Sequence, residues 1–412
     1  MSNFIGKQRS FRFLWVGQMF ANLGDILYIV CLIKMIFDAT GSVTYMSLVP
    51  FINTFSALVS GLLAPLIINK YRLKSILVYS QCGKTILLLI LCVFVVTLGA
   101  TGLFFLYLLI ALISFLDGWA SPARNALVPS LVEESILVKT NSLLSISDQV
   151  IQLIAWPIGS IFLVTAGYEK ILWLTFFLYM ISTALMILIS PSANQYHISE
   201  NQSQTELLIE GWRMIWNTKQ LRTISFMNIL ETFANGVWIA AILFVYVSEV
   251  LNKQENWWGF INGAFFGGML FGGFVIYRLA NQLEQNLGKT ILWSTFCLIG
   301  ITFIFGITSI PWLALFLSFL FGLPQMARDV AETTIIQKSA RDGLLAKVYS
   351  ARGTLIFAAF GISSLVMGWI TEQFGVRTTF MTATVLFICS FTLALRNKRS
   401  LYLEIKQNNI RE

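Results

Sequence analysis

Charge is scarce in this sequence. Only 12% of its 412 residues are Asp, Glu, Lys or Arg, against about 25% in ordinary soluble chains. A soluble fold with so few charges has too little polar surface to cover itself, which argues against a disordered chain and against a plain cytosolic enzyme. Histidine occurs once, as His197, leaving little for imidazole catalysis. The five cysteines, Cys31, Cys82, Cys92, Cys297 and Cys389, all sit in apolar runs without a C-x-x-C pair. They are read as small core residues, neither a disulfide framework nor metal ligands. Gly83-Lys84-Thr85 and Gly288-Lys289-Thr290 look like the end of a phosphate-binding loop, but Val78 and Leu283 stand where the required earlier glycine belongs. With no G-x-S-x-G elbow and no soluble domain large enough to hydrolyse ATP, neither an enzyme nor a self-contained ATP-driven pump is expected. No cofactor is expected either.

What is abundant is apolar sequence: 57% hydrophobic and 14% aromatic residues, with a mean hydropathy of +0.75. Nothing in hydrocarbon satisfies a bare backbone, so each crossing needs about 20 mostly apolar residues in a helix. Such runs fall near 13–37, 44–69, 76–99, 102–121, 141–166 and 171–190, then near 223–248, 257–277, 290–308, 311–327, 350–371 and 378–395. The first is too long, and too poor in small cleavage-site residues, for a removable signal peptide. The expected fold is therefore an all-α membrane protein, with twelve transmembrane helices in two pseudo-symmetric six-helix bundles. Its expected parts are a first bundle at 1–190, a cytoplasmic linker at 191–220, a second bundle at 221–396 and a cytoplasmic tail at 397–412.

Lysine and arginine set the orientation. With the N-terminus inside, most of them fall in cytoplasmic segments, Arg328 among these, and only Lys170, Lys253 and Arg377 fall outside. Both termini are then expected in the cytoplasm. The same asymmetry accounts for the net charge of +8 through contact with anionic lipid, without a nucleic acid.

The halves share a landmark. Ala123-Arg124-Asn125-Ala126 after the fourth span is echoed by Ala327-Arg328-Asp329-Val330 after the tenth. A duplicated unit puts a substrate site between the halves near the bilayer midplane. Ionisable groups inside spans cost roughly 2.5–3.5 kcal/mol each on insertion scales, so they face protein or water. Here they form stripes at helical spacing: Gln18, Asn22 and Asp25 on span one; Asn228, Glu231 and Asn235 on span seven; Asn141, Ser145, Asp148 and Gln152 on span five; Ser114 and Asp117 on span four. Spans six, nine and twelve carry no charge and are expected to face lipid.

One reading is that some of Asp25, Asp117, Asp148 and Glu231 take up and release protons, or attract a cationic substrate, with Asp25 and Glu231 first. The competing reading pairs each with Lys34, Lys84, Arg124 or Arg352 and makes it a packing device, Asp117 with Arg124 in particular. Gly259, Gly263, Gly267, Gly268, Gly272 and Gly273 on span eight suit close helix packing.

With these features in hand, the chain resembles a major facilitator superfamily transporter, in the branch of the macrolide efflux proteins and the enterobactin exporter. The residues that carry the resemblance begin with Asn22-Leu23-Gly24-Asp25, Phe115-Leu116-Asp117-Gly118 and the run Ser121-Pro122-Ala123-Arg124-Asn125-Ala126-Leu127-Val128-Pro129. Glu210-Gly211-Trp212-Arg213 and Gln337-Lys338 followed by Lys347-Val348-Tyr349-Ser350 complete the set.

The resemblance implies proton-coupled export of a small hydrophobic molecule by alternating access, from a cell membrane, that of bacteria, by a monomer. The alternatives are a dedicated exporter of one metabolite (siderophore, peptide or lipid-like) and a non-transporting receptor or scaffold. Arg124, Arg328, Asn69, Lys70, Arg72 and Lys74 are the residues expected to serve in gating or structure. Two departures stand out. In the loop after span two, Asn69 replaces the acid of the family pattern and Pro65 its glycine, so the charge pair that latches relatives has lost its carboxylate there. In span five the antiporter motif is reduced to Ala155-Trp156-Pro157-Ile158-Gly159-Ser160.

Overall fold

A computed structural model describes residues 2–40, 43–94, 102–190, 204–238, 240–254, 256–340 and 343–403. Residues 95–99 of the expected third span, 191–203 of the expected linker and 404–412 of the expected tail lie outside these. Among the described residues there is no strand. Ten helices there are long and apolar enough to cross a membrane. The first six expected spans are α1 (Ser2–Thr40), α2 (Val43–Lys70), α3 (Leu73–Phe94), α4 (Leu103–Leu131), α5 (Leu137–Ala166) and α6 (Tyr168–Ile187). Part of the expected linker is itself a helix, α7 (Gln204–Asn217).

The seventh span, expected as one run, is a series of pieces: α8 (Lys219–Ala234), a 3-10 turn over Asn235–Trp238, α9 (Ala240–Val245) and a π-helical turn over Tyr246–Val250. Asn235 and Gly236 are weak helix formers placed side by side. The carbonyl of Phe233 accepts a hydrogen bond from the Ser363 hydroxyl at 3.2 Å, so a side chain takes part in the backbone bonding where the α-helix stops. Beyond it come α10 (Asn256–Arg278), α11 (Ala280–Glu284), α12 (Leu287–Ile307), α13 (Pro311–Ser339), α14 (Leu345–Phe374), α15 (Val376–Arg396) and α16 (Lys398–Leu403).

The chain groups into two units. One comprises Met1–Glu133, Val150–Trp212 and Arg341–Thr354; the other comprises Glu134–Gln149, Arg213–Ala340 and Leu355–Glu412. Inside the first, α1 packs on α6, α2 on α4, and α3 against both α4 and α6. Inside the second, α8 packs on α15, α10 on α13, and α12 against both α13 and α15. The same pairing therefore occurs twice, in matching chain order. The turns before the last helix of each repeat match as well: Gly167 precedes α6 and Gly375 precedes α15, with φ of 81° and 84°. Only glycine adopts this left-handed backbone without a steric cost.

Each unit has its own apolar core. In the first it runs through Leu27, Cys31, Leu32, Leu88, Ile110 and Tyr179. In the second it is aromatic, with Trp238 ringed by Phe265, Phe305, Phe321 and Phe380. The glycines of α10 divide by face. A side chain at Gly268 would collide with the backbone carbonyl of Phe319 on α13, whereas nothing lies within 4 Å of a Cβ placed at Gly263. Gly268→Ala is therefore expected to cost about 1–3 kcal/mol, read as a lowered Tm in detergent. Gly263→Ala should leave Tm unchanged.

Candidate functional site

In the first unit the polar stripe of α1 meets α3, α4 and α6. Lys84 of α3 is buried, 1% exposed, and its Nζ lies 2.6 Å from Asp25 Oδ1 and 2.9 Å from Asp117 Oδ1. Tyr179 of α6 donates its hydroxyl to Asp25, and the Lys84 ammonium also stands over the Tyr179 ring, 5.1 Å from its centroid. Gly24, next to Asp25, makes room for that ring, since a Cβ there would lie 2.6 Å from Tyr179 Cε1. The cluster thus holds two carboxylates, one ammonium and one phenol. It is not sealed: the Asp25 side chain is 23% exposed and that of Asp117 50%.

The second unit builds a counterpart. Glu231 of α8 pairs with Arg328 of α13, which also pairs with Glu332 one turn further along its own helix. Ser390 of α15 donates its hydroxyl to Glu231. In both repeats the first helix supplies an acid and the last helix a hydroxyl that binds it, and again two carboxylates share one cation. The differences are the source of the cation (third helix in one repeat, fourth in the other) and the access. Arg328, Glu231 and Glu332 side chains are 3%, 2% and 1% exposed.

Two expectations need correction here. Arg328, grouped with the basic loop residues above, is a core cation, because α13 runs on to Ser339, well past the end expected for that span. Asp117 pairs with Lys84 on a neighbouring helix instead of with Arg124 on its own.

The remaining expected residues are placed as follows. Gln18 donates its amide to Asn22 Oδ1 at 2.6 Å along α1. Asn228 donates to the carbonyl of Ile224 on its own helix, and Asn235 closes α8. Asp148 is half-buried on α5, in the segment grouped with the second unit. There the amide of Asn141 donates to Gln337 Oε1 at 2.7 Å and to Thr334 Oγ1 at 3.1 Å. Arg124 is half-buried on α4. Asn69, next to last in α2, accepts from Lys347 Nζ at 3.3 Å; Lys70 ends that helix and Arg72 lies in the turn after it, both exposed, and Lys74 is half-buried at the start of α3.

Several members escaped the sequence reading. Glu332 was legible as the i+4 neighbour of Arg328. Tyr179 and Ser390 were not, being hydroxyls among several in apolar runs, and they show that α6 and α15, whose stretches 171–187 and 378–395 carry no charge, each turn one face inward.

A doubled helical repeat with charged clusters inside its membrane-spanning helices defines a multi-pass membrane transporter. The chain belongs to the Major Facilitator Superfamily, whose family model matches residues 14–360. It is 32% identical over 378 residues to the MFS-type transporter YfmI of Bacillus subtilis, covering 91% of this chain and 93% of that one. It is 23% identical over 245 residues to the multidrug efflux pump Tap of Mycobacterium tuberculosis, covering 58% and 57% of the two. Among solved structures it matches the fucose:proton symporter FucP of E. coli with a TM-score of 0.78 at 14% identity, covering 95% and 99% of the two chains. It also matches a bacterial homologue of the iron transporter ferroportin, with a TM-score of 0.74 at 13% identity over 94% and 98%. At these identities the likeness shows the fold.

Proposed function

We propose that this transporter is a proton-coupled exporter of hydrophobic drugs or metabolites that works by alternating access, with the Asp25–Lys84–Asp117 cluster as its proton site. One observation carries the reading: the Nζ of a single buried ammonium stands 2.6 Å and 2.9 Å from two carboxylates. One positive charge cannot balance two negative ones. In a membrane-spanning helix the surplus is costly until a proton or an external cation neutralises it. The half-exposed Asp117 gives such an exchange a route that the enclosed Glu231–Arg328–Glu332 cluster lacks.

Outward direction and a broad substrate range rest on the multidrug efflux pump among the relatives. A bacterial cell membrane suits the bacterial relatives, and the bias of lysine and arginine favours cytoplasmic termini. Reconstituted vesicles carrying an internal pH dye test the coupling. An imposed gradient of ethidium, tetraphenylphosphonium or a macrolide is expected to drive proton movement in at least one case. Transport of any of these without proton movement overturns the coupling, and transport of a single narrow compound class points to a dedicated exporter.

A further inference from the structure

The first turns of α14 are held by a second polar contact, away from both clusters. Lys347 is 4% exposed, and its Nζ lies 2.5 Å from Glu210 Oε2 on α7 and 3.3 Å from Asn69 Oδ1 at the end of α2. A buried ammonium needs a counter-charge as well as hydrogen bonds. Asn69 offers only a dipole, so the charge comes from α7. Gly211, beside Glu210, lets the two helices meet, since any Cβ there would run into the backbone carbonyl of Lys347. Three residues after Lys347, Ser350 donates its hydroxyl to the carbonyl of Gly61 on α2.

We propose that Glu210 is a positioning residue. The helix joining the two sequence halves supplies the carboxylate that Asn69 lacks, and through Lys347 it fastens the start of α14 to the end of α2. Residues 341–354 group with the first unit and 355–374 with the second, so α14 is one helix shared by two groupings. Lys347, Glu210 and Asn69 all fall in the first unit, so the pair gives way only in a motion in which 345–354 follows 355–374 as one rigid helix. The pair is built to break: the Glu210 side chain is 24% exposed, so water can take over its charge, which the enclosed Arg328 pairs do not allow. The role in transport rests on the alternating-access reading; the contact itself does not.

Hydrogen–deuterium exchange on the full chain in detergent tests it without any substrate. In Glu210→Gln, the amides of residues 345–354 are expected to exchange about tenfold faster, with those of α12 unchanged. Asn69→Asp, added to Glu210→Gln, puts a carboxylate back beside Lys347 and should bring exchange to within about twofold of the parent. Unchanged exchange in Glu210→Gln overturns the proposal, as does failure of Asn69→Asp to restore it. Should Glu210→Gln not fold, the charge-exchanged pair E210K/K347E is compared with K347E alone. Recovery of protection by the pair supports the contact, and no recovery overturns it. A chain that moves no protons would still give the expected exchange pattern, so this proposal and the proton reading fail separately.

Discussion

Asp25→Asn is expected to reduce gradient-driven efflux to the level of empty vesicles while leaving the protein folded and inserted. Asparagine keeps the shape of the side chain and an oxygen that accepts from the Tyr179 hydroxyl, so the packing of α1 on α6 survives. What disappears is one of the two carboxylates around Lys84. The remaining Lys84–Asp117 pair, at 2.9 Å, is balanced on its own and has no surplus charge to exchange with a proton. Downhill movement of ethidium or tetraphenylphosphonium, measured with no pH difference, should persist, because it needs no coupling. Full uphill efflux in the variant removes Asp25 from the mechanism. Loss of downhill movement as well would mean that the residue is structural.

Arg328→Met is expected to be among the most destabilising single substitutions in the chain. It leaves Glu231 and Glu332 buried, 2% and 1% exposed in their side chains, with their shared cation gone. Breaking a buried pair from one side costs about 3–5 kcal/mol, because a charge stays behind in a low-dielectric interior. Removing the charges together is different: R328M with E231Q and E332Q should regain most of the loss, since no uncompensated ion remains. Tm in detergent and the yield of monodisperse protein measure both. A single variant as stable as the parent would mean that water reaches this cluster, and would weaken the contrast with the Lys84 cluster.

The membrane character, the positions of the long helices and the first-helix acids were legible in the chain itself. Ala-Arg at 123–124 and 327–328 announced the repeat, though the two arginines turned out not to be equivalent. Arg328 is buried between acids, whereas Arg124 is only half-buried. Asn69 was legible as a lost acid, but not where the charge had gone: Glu210 lies 141 positions away, on a helix that composition marked only as linker. The seventh span looked continuous because hydropathy averages over windows and does not register a weak pair such as Asn235-Gly236.

The amino-acid order by itself determined that this is a multi-pass helical membrane protein with an internal duplication. Burying backbone in hydrocarbon is a local demand that any run of about 20 apolar residues reveals. Tertiary structure alone decided which cation serves which acid. Lys84 meets both Asp25 and Asp117, Arg328 meets Glu231, and hydroxyls from Tyr179 and Ser390 complete the two sites. Those partners lie 33 to 159 positions apart, and ion pairing depends on ångström-scale distances set by how each helix is rotated against its neighbours, which side-chain packing fixes and periodicity along one helix does not.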